Sequence, residues 1–256
     1  MALLEVKGLT KHFGGLIAVN NVDIVVEKGM ILGIIGPNGA GKTTLYNLIT
    51  GVFPLTSGKV IFKGEDVTHL STNRRAGKGL VRTFQTTSLF HDMTAFQNIQ
   101  VAHHLFRKSG QFAQFITVPG SRREEKRVRE RSLEILEFLG LGEVKDELAR
   151  NLPHGHQRAL GIAIAMAADP ELLLLDEPVT GMNEVETTTM MGMIRGIRDK
   201  QGVTIVLVEH DMRAMMGLSE HIIALNFGKK IAEGTPHEVV NNRDVIEAYL
   251  GLEEGN

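Results

Sequence analysis

The sequence predicts an α/β fold: a parallel-sheet core, an N-terminal antiparallel β subdomain and an inserted α-helical subdomain. Three observations predict it. Short strand-like stretches crowd the first third of the chain. Near-continuous apolar runs, "MILGIIG", "ELLLLDEP" and "VTIVLVEHD", alternate with helical patterns, as parallel strands covered on both faces do. From about Thr94 to Arg150 the pattern is helical. The expected organisation is a single domain, 1–256. In it 1–90 and 160–256 form the β subdomain and core, and 91–159 form the inserted helical part.

Each element has its own warrant. "LLEVKGL" alternates partly, "NNVDIVVEKG" alternates at Val22, Ile24 and Val26, and "GKVIFKGED" is bracketed by glycines. "MILGIIG" runs into a glycine-rich turn and then a helical pattern, Lys42 to Thr50, stopped by Gly51. "HLFRKSGQFAQFITVPG" reads as an insertion with a helix and a loop. "SRREEKRVRERSLEILEFLGLG" begins as a solvated charged face and turns apolar at Leu133, Leu136 and Leu139. "EVETTTMMGMIRGIRDKQG" is a helix ending near Gly202, and "AMMGLSEHIIAL" and "NRDVIEAYLGL" supply further helix and strand. The methionines of "MMGM" and "MRAMM" are core packing.

Composition bounds the partners. Hydrophobic residues make up 43% of 256 residues, enough for a core. A net charge of -2 leaves no basic footprint, so no nucleic-acid partner is expected. With no cysteine, disulfides and cysteine zinc sites are excluded and a cytosolic address is favoured. The start, "MALLEVKGL", has no signal-peptide pattern, and no apolar run approaches the roughly 20 residues of a spanning helix. Work at a membrane would need other chains to span it.

"GPNGAGKTT" matches G-x-x-x-x-G-K-[ST] and comprises Gly36, Pro37, Asn38, Gly39, Ala40, Gly41, Lys42, Thr43 and Thr44. Glycines let the backbone bend so that successive N–H groups face a polyphosphate, and the following helix presents its positive end. Lys42 can reach the outer phosphates, and the Thr43 hydroxyl can ligate Mg²⁺. This predicts a nucleotide-binding core that resembles a P-loop NTPase of RecA-like type, for which ATP with Mg²⁺ is the expected ligand. Asp176 and Glu177 end the run "LLLL". The first acid can hold the magnesium shell, and the second can orient and deprotonate an attacking water.

With the segment "NLPHGHQRALGIAIAMAADP", these motifs make the chain resemble the ATP-binding cassette (ABC) family over essentially its full length, Leu3 to Leu252. Gln85 in "VRTFQ" looks like that family's Q-loop glutamine, at the metal or water site. His210, ending "VTIVLVEH", looks like the switch histidine at the γ-phosphate. Phe13 in "KHFGG" stands where an aromatic stacks on adenine. "VEHDM", the tail "EGTPHEVVNNRDVIEAYLG" and the long segment between Gln85 and Leu152 resemble LivG-type ATPases of branched-chain amino-acid importers. Similar tails occur in the ATPase of lipopolysaccharide export. The resemblance implies two cassettes paired head to tail, permease subunits in the membrane and an extracytoplasmic substrate-binding protein. It also implies a peripheral place on the cytoplasmic face of the inner membrane.

Two positions depart from that pattern. The family's Leu-Ser-Gly-Gly-Gln signature, which caps the partner subunit's γ-phosphate, reads Leu152, Pro153, His154, Gly155, His156 here. Pro153 brings neither a hydroxyl nor an N–H. Gly155 still permits close approach, and the helix end still favours an anion. The expectation is a working, altered signature in which an imidazole, above all that of His156, partly replaces the hydroxyl. The alternative is that both histidines face solvent or the partner, and a third is a degenerate site paired with a normal one. Asn183 in "TGMNE" stands where the family more often has Asp, which removes a carboxylate.

Other classes fit less well. Translation or DNA-repair ATPases of this type carry two cassettes or a long coiled coil, whereas one phosphate loop and no sustained heptads occur here. A P-loop kinase would need an acceptor pocket and a lid, and no Glu177.

Overall fold

The computed structural model describes residues 2–83, 89–107 and 121–250. Gln85 and residues 108–120, most of the stretch "HLFRKSGQFAQFITVPG", lie outside the described residues.

The first third builds an antiparallel sheet from β1 (Ala2–Phe13), β2 (Leu16–Glu27), β4 (Ser57–Phe62) and β5 (Glu65–Asp66), in the order β2-β1-β4-β5. Val22, Ile24 and Val26 all point inward, as their alternation requires. The core sheet runs β10-β9-β3-β8-β7-β6, from β3 (Ile31–Ile35), β6 (Leu80–Arg82), β7 (Leu172–Asp176), β8 (Thr204–Val208), β9 (His221–Asn226) and β10 (Lys229–Gly234). All its pairings are parallel except β9 with β10.

The apolar runs are continuous because both faces of this sheet are covered. In β7, Leu172 and Leu174 join one core with β1, β2 and the helix α1 (Lys42–Ile49). Leu173 and Leu175 join the other, with α3 (Ala95–Arg107), α4 (Ser121–Phe138), α5 (His154–Met166), α6 (Glu184–Gln201) and α7 (Met212–Leu218). Each such side chain removed from water contributes about 1.5–3 kcal/mol. Met190 and Met215 are buried in this second core and Met191, Met193 and Met212 pack against it part-buried, as expected of packing methionines. Met216 is exposed against that expectation, on the outer side of a short surface helix.

Arg75, in the short helix α2 (Thr72–Ala76), is buried and donates to the carbonyls of Leu48, Ile49, Leu70 and Thr68. Two of these, Leu48 O and Ile49 O, are last-turn carbonyls of α1, where intrahelical donors run out, though Leu48 O also accepts from the Gly51 N–H at 3.2 Å. Burial pulls its guanidinium down to about 10.

The stretch Thr94–Arg150 is less helical than expected. α4 closes with the Leu141 N–H donating to Leu136 O at 2.8 Å, and turns follow as far as a 3-10 turn at Ala149–Asn151. Such a five-residue bond ends a helix by turning the chain aside. The tail forms β10, then α8 (Pro236–Val240), then α9 (Arg243–Leu250), where the sequence pattern gave only one helix. α8 is short, and it is held by a capping box between Thr235 and Glu238.

Candidate nucleotide site

Phosphate loop, acid pair and His210 all follow the carboxyl ends of adjacent core strands, where open α/β sheets bind ligands. β3 runs into 36–41, β7 ends on Asp176, and β8 leads to His210.

The loop is bent so that only glycine fits at two points. Gly36 has φ 152°, and a Cβ there would lie 2.3 Å from Leu225 O. Gly41 has φ 100°, and a Cβ would lie 2.5 Å from Ala18 O. The loop is pinned from below by Gly228 N–H donating to Ala40 O at 2.9 Å. Gly41 is the N-cap of α1 and brings no capping side chain, so the first-turn N–H groups of that helix stay available for an anion. Thr43 is exposed, and Lys42 is buried. The Lys42 ammonium donates to Gly36 O at 2.5 Å and Pro37 O at 3.0 Å, so the loop's own carbonyls hold it. Burial lowers its pKa, against the raising pull of Glu177 and Asp176.

One contact ties α1 to the acid strand and a second ties it to β6. The Tyr46 hydroxyl donates to Leu174 O at 2.6 Å, and Arg82 lies 4.8 Å over the Tyr46 ring. Burial, then the Asp176 charge, raises the Tyr46 phenol. Asp176 is half-buried, and burial followed by the Glu177 charge raises its carboxyl, against Arg82, Arg158 and Lys42.

Glu177 has φ 48°, a left-handed backbone that costs a non-glycine residue about 1 kcal/mol or more. Its N–H donates to Val208 O at 2.8 Å, and Arg158 of α5 donates to its carbonyl at 2.9 Å. These bonds hold the kink. The Glu177 carboxylate faces His210, with 3.6 Å between Oε1 and Nδ1.

Sequence reasoning missed Glu209. Its carboxyl is fully buried and accepts from the N–H groups of Val179 at 2.8 Å, His210 at 3.1 Å and Asp211 at 3.4 Å. It thereby ties the turn after Glu177 to the turn carrying His210. Burial raises it, and those three bonds lower it. An acid ending an apolar strand was the available signal, overshadowed by the histidine beside it.

Phe13, at the β1 tip, is 43% exposed and packs edge-on to Phe53, with ring centroids 5.6 Å apart. Lys11 lies 4.9 Å over its ring.

Gly155 and His156 are not brought to this chain's own phosphate loop. They sit in the first turn of α5, where a Cβ on Gly155 would meet the Glu186 carboxylate at 3.6 Å. Pro153 is the N-cap itself, one place before the first helical residue, with φ −53° and ψ 153°. The ring fixes that φ, and the extended ψ starts the helix without an N–H. His154 is exposed, whereas the His156 Nδ1 atom is buried with no hydrogen-bond partner. Asn183 is the N-cap of α6. Its Oδ1 accepts from Val185 and Glu186 N–H at 3.0 Å, and Glu186 returns a bond to its N–H. A side-chain oxygen is what this place needs, so Asn serves as Asp would.

Among the described residues no three His, Cys, Asp or Glu gather as a metal cage. Among them Thr43 and Asp176 carry oxygen donors of the kind Mg²⁺ takes, and that ion keeps several waters and binds through one or two protein oxygens plus phosphates. No helix among the described residues is long and apolar enough to cross a membrane.

Residues 19–180 match the ABC transporter family model, and 229–254 match the model of the branched-chain amino acid ATP-binding cassette transporter. The chain is 43% identical over 249 residues to the high-affinity branched-chain amino acid transport ATP-binding protein BraF of Pseudomonas aeruginosa, covering 97% of this chain and 98% of the relative. LivG of Escherichia coli K12, described in the same words, matches at the same identity and coverage. The lipopolysaccharide export system ATP-binding protein LptB of Haemophilus influenzae is 31% identical over 251 residues, 98% of each chain. Among solved structures, the ADP conformation of an ATP-binding cassette of an ABC transporter superposes with a TM-score of 0.86 at 29% identity, covering 98% of this chain and 99% of that one.

Proposed function

The chain belongs to the ABC transporter family of ATP-binding proteins, and from that premise we propose that it is the ATP-hydrolysing subunit of an importer for branched-chain or related amino acids. The observation that carries the chemistry is the convergence of Lys42, Asp176, Glu177 and His210 at the ends of three neighbouring strands. The cargo rests on the tail match at 229–254 and on the names of the relatives at 43% identity. An exporter ATPase of the lipopolysaccharide type is the second reading. It rests on a weaker match, 31% identity.

In this reading the N–H groups of 36–44 and the Lys42 ammonium hold the triphosphate. A water attacks the γ-phosphorus. A new P–O bond forms as the bond to the β,γ-bridging oxygen breaks, leaving ADP and phosphate. Glu177 orients the water and takes its proton, and His210 steadies that carboxylate and reaches the γ-phosphate. Gln85 shares the water or metal position, and Phe13 stacks on the base. Mg²⁺, held by Thr43 and Asp176, neutralises phosphate charge when bound. Gly155 and His156 serve the other cassette's nucleotide in a head-to-tail pair, which is a self-pair or a pair with a paralogue.

The division into 1–90 with 160–256 and an inserted 91–159 belongs to this reading, with the inserted part receiving the permease. The chain then sits on the cytoplasmic face of the inner membrane, with a substrate-binding protein beyond it. Two measurements test the reading. Lys42→Ala should abolish ATP binding, and ATP binding and cleavage like the unaltered chain's would sink the chemistry. Cells lacking the chain should lose uptake of leucine, isoleucine and valine, and uptake unchanged by the deletion would sink the cargo.

A further inference from the structure

The last helix of the chain reaches back to its phosphate loop. α9 packs Tyr249 half-buried against the main core, and the Tyr249 hydroxyl accepts from the Gly36 N–H at 2.9 Å. The two residues are 213 positions apart. Gly36 is the first residue beyond β3, whose ladder to β9 ends at Ile35 opposite Ala224. The sheet therefore offers that N–H no further rung, and a buried donor without an acceptor is costly. Tyr249 takes the place of the missing rung.

The same residue is gripped on its other side. The Gly36 carbonyl accepts from Lys42 at 2.5 Å, and Leu225 O closes off the space where a side chain would be. The entry to the phosphate loop thus has one pose, fixed by the loop's lysine from within and by the tail's tyrosine from outside. Burial raises the Tyr249 phenol, so the hydroxyl stays neutral and keeps its lone pairs as acceptors. The general cassette model matches 19–180, whereas Tyr249 lies in 229–254, which matches the branched-chain model.

We propose that Tyr249 is a positioning residue for nucleotide binding: by accepting from Gly36 it sets the pose of the phosphate loop, so tail docking and nucleotide binding reinforce each other. Such coupling is reciprocal, so nucleotide must also tighten the docked tail. The proposal rests on reading 36–44 as the phosphate cradle.

The test uses the full chain and Tyr249→Phe, which keeps the ring and removes only the acceptor. Affinity for a fluorescent ADP analogue should fall roughly 3- to 10-fold, the worth of one hydrogen bond. The KM for ATP should rise by a similar factor while kcat stays within about twofold, since the tyrosine touches no reacting atom. Hydrogen exchange gives the reciprocal readout: ADP should slow exchange across α9 in the unaltered chain, and less so in Tyr249→Phe. Unchanged affinity and KM in the variant would overturn the proposal. So would a loss of kcat matched by a drop in nucleotide-free melting temperature, which would mark a structural role. If the variant does not fold, the unaltered chain decides: nucleotide that binds without slowing exchange in α9 overturns the proposal. If the unaltered chain binds no nucleotide, the cradle reading itself has failed, a result distinct from all of these.

Discussion

Glu177 Oε1 and His210 Nδ1 stand 3.6 Å apart across the gap between β7 and β8. Both side chains are open to solvent, so this is a working distance and not a buried ion pair. If Glu177 takes the proton of the attacking water and His210 steadies it, the two act as one unit. Glu177→Gln should lower kcat by roughly 100-fold or more while ATP still binds. Adding His210→Ala should cost much less than it costs alone. Steady-state phosphate release on the four proteins of the cycle checks this. Multiplying effects would separate the two roles.

Asp176 makes a pH prediction. Its folded pKa is raised, first by burial and then by Glu177, so the folded chain holds that proton more readily than the unfolded chain. The stability this acid contributes is present below the unfolded value, about 3.9, and is lost as pH rises through the folded value. At neutral pH the carboxylate is therefore a liability to the empty fold. Asp176→Asn should raise the nucleotide-free melting temperature at pH 7, with the difference fading towards about pH 4. Magnesium-dependent nucleotide affinity should drop about 10- to 100-fold. Melting curves across pH decide the first, and a destabilised variant at pH 7 would contradict it.

Asn183 should be replaceable by Asp but not by Ala. Alanine removes the acceptor of two helix N–H groups at 3.0 Å, a loss of about 1 kcal/mol. Aspartate keeps the acceptor and adds charge favourable to a helix start. Urea denaturation of the three proteins tests the order.

Glu209→Gln keeps shape but offers one acceptor where three N–H groups converge. An NH₂ facing one of those donors should cost about 1–3 kcal/mol. Because the same bonds place His210, turnover should fall as well. A variant as stable as the parent would show that the bonds carry little.

His156 carries the question of the altered signature. Its Nδ1 atom is buried without a hydrogen-bond partner in the single chain, so serving a neighbouring cassette's nucleotide would take the ring's other nitrogen or a turn of the ring. If the imidazole serves the signature, His156→Gln should reduce ATPase activity between pH 6 and 8. A rate unchanged across that window would assign the histidine to packing alone.

Much of this was legible in the sequence. The runs in β3, β7 and β8 announced strands covered on both sides, and 36–44 announced its own shape because glycine spacing is a local property. The acid pair was legible from its place at a strand end. Glu209, Arg75 and Tyr249 were not. Each satisfies at least one backbone group brought near only by folding: Glu209 serves Val179 from 30 residues away, Arg75 serves α1 from 26 and 27, and Tyr249 serves Gly36 from 213. A sequence shows which side chains can bond, but not which N–H or carbonyl the sheet leaves unserved. Pro153 shows the converse, since its missing N–H was plain, while its place at the N-cap, one residue early, needed the backbone angles.

The left-handed backbone at Glu177 carries a consequence for any attempt to toughen this chain. Glycine would relax that position at no steric cost. A population screened for heat resistance alone would be expected to drift toward glycine there, shedding the carboxylate proposed to take the water's proton. Durability and chemistry compete at a single φ angle.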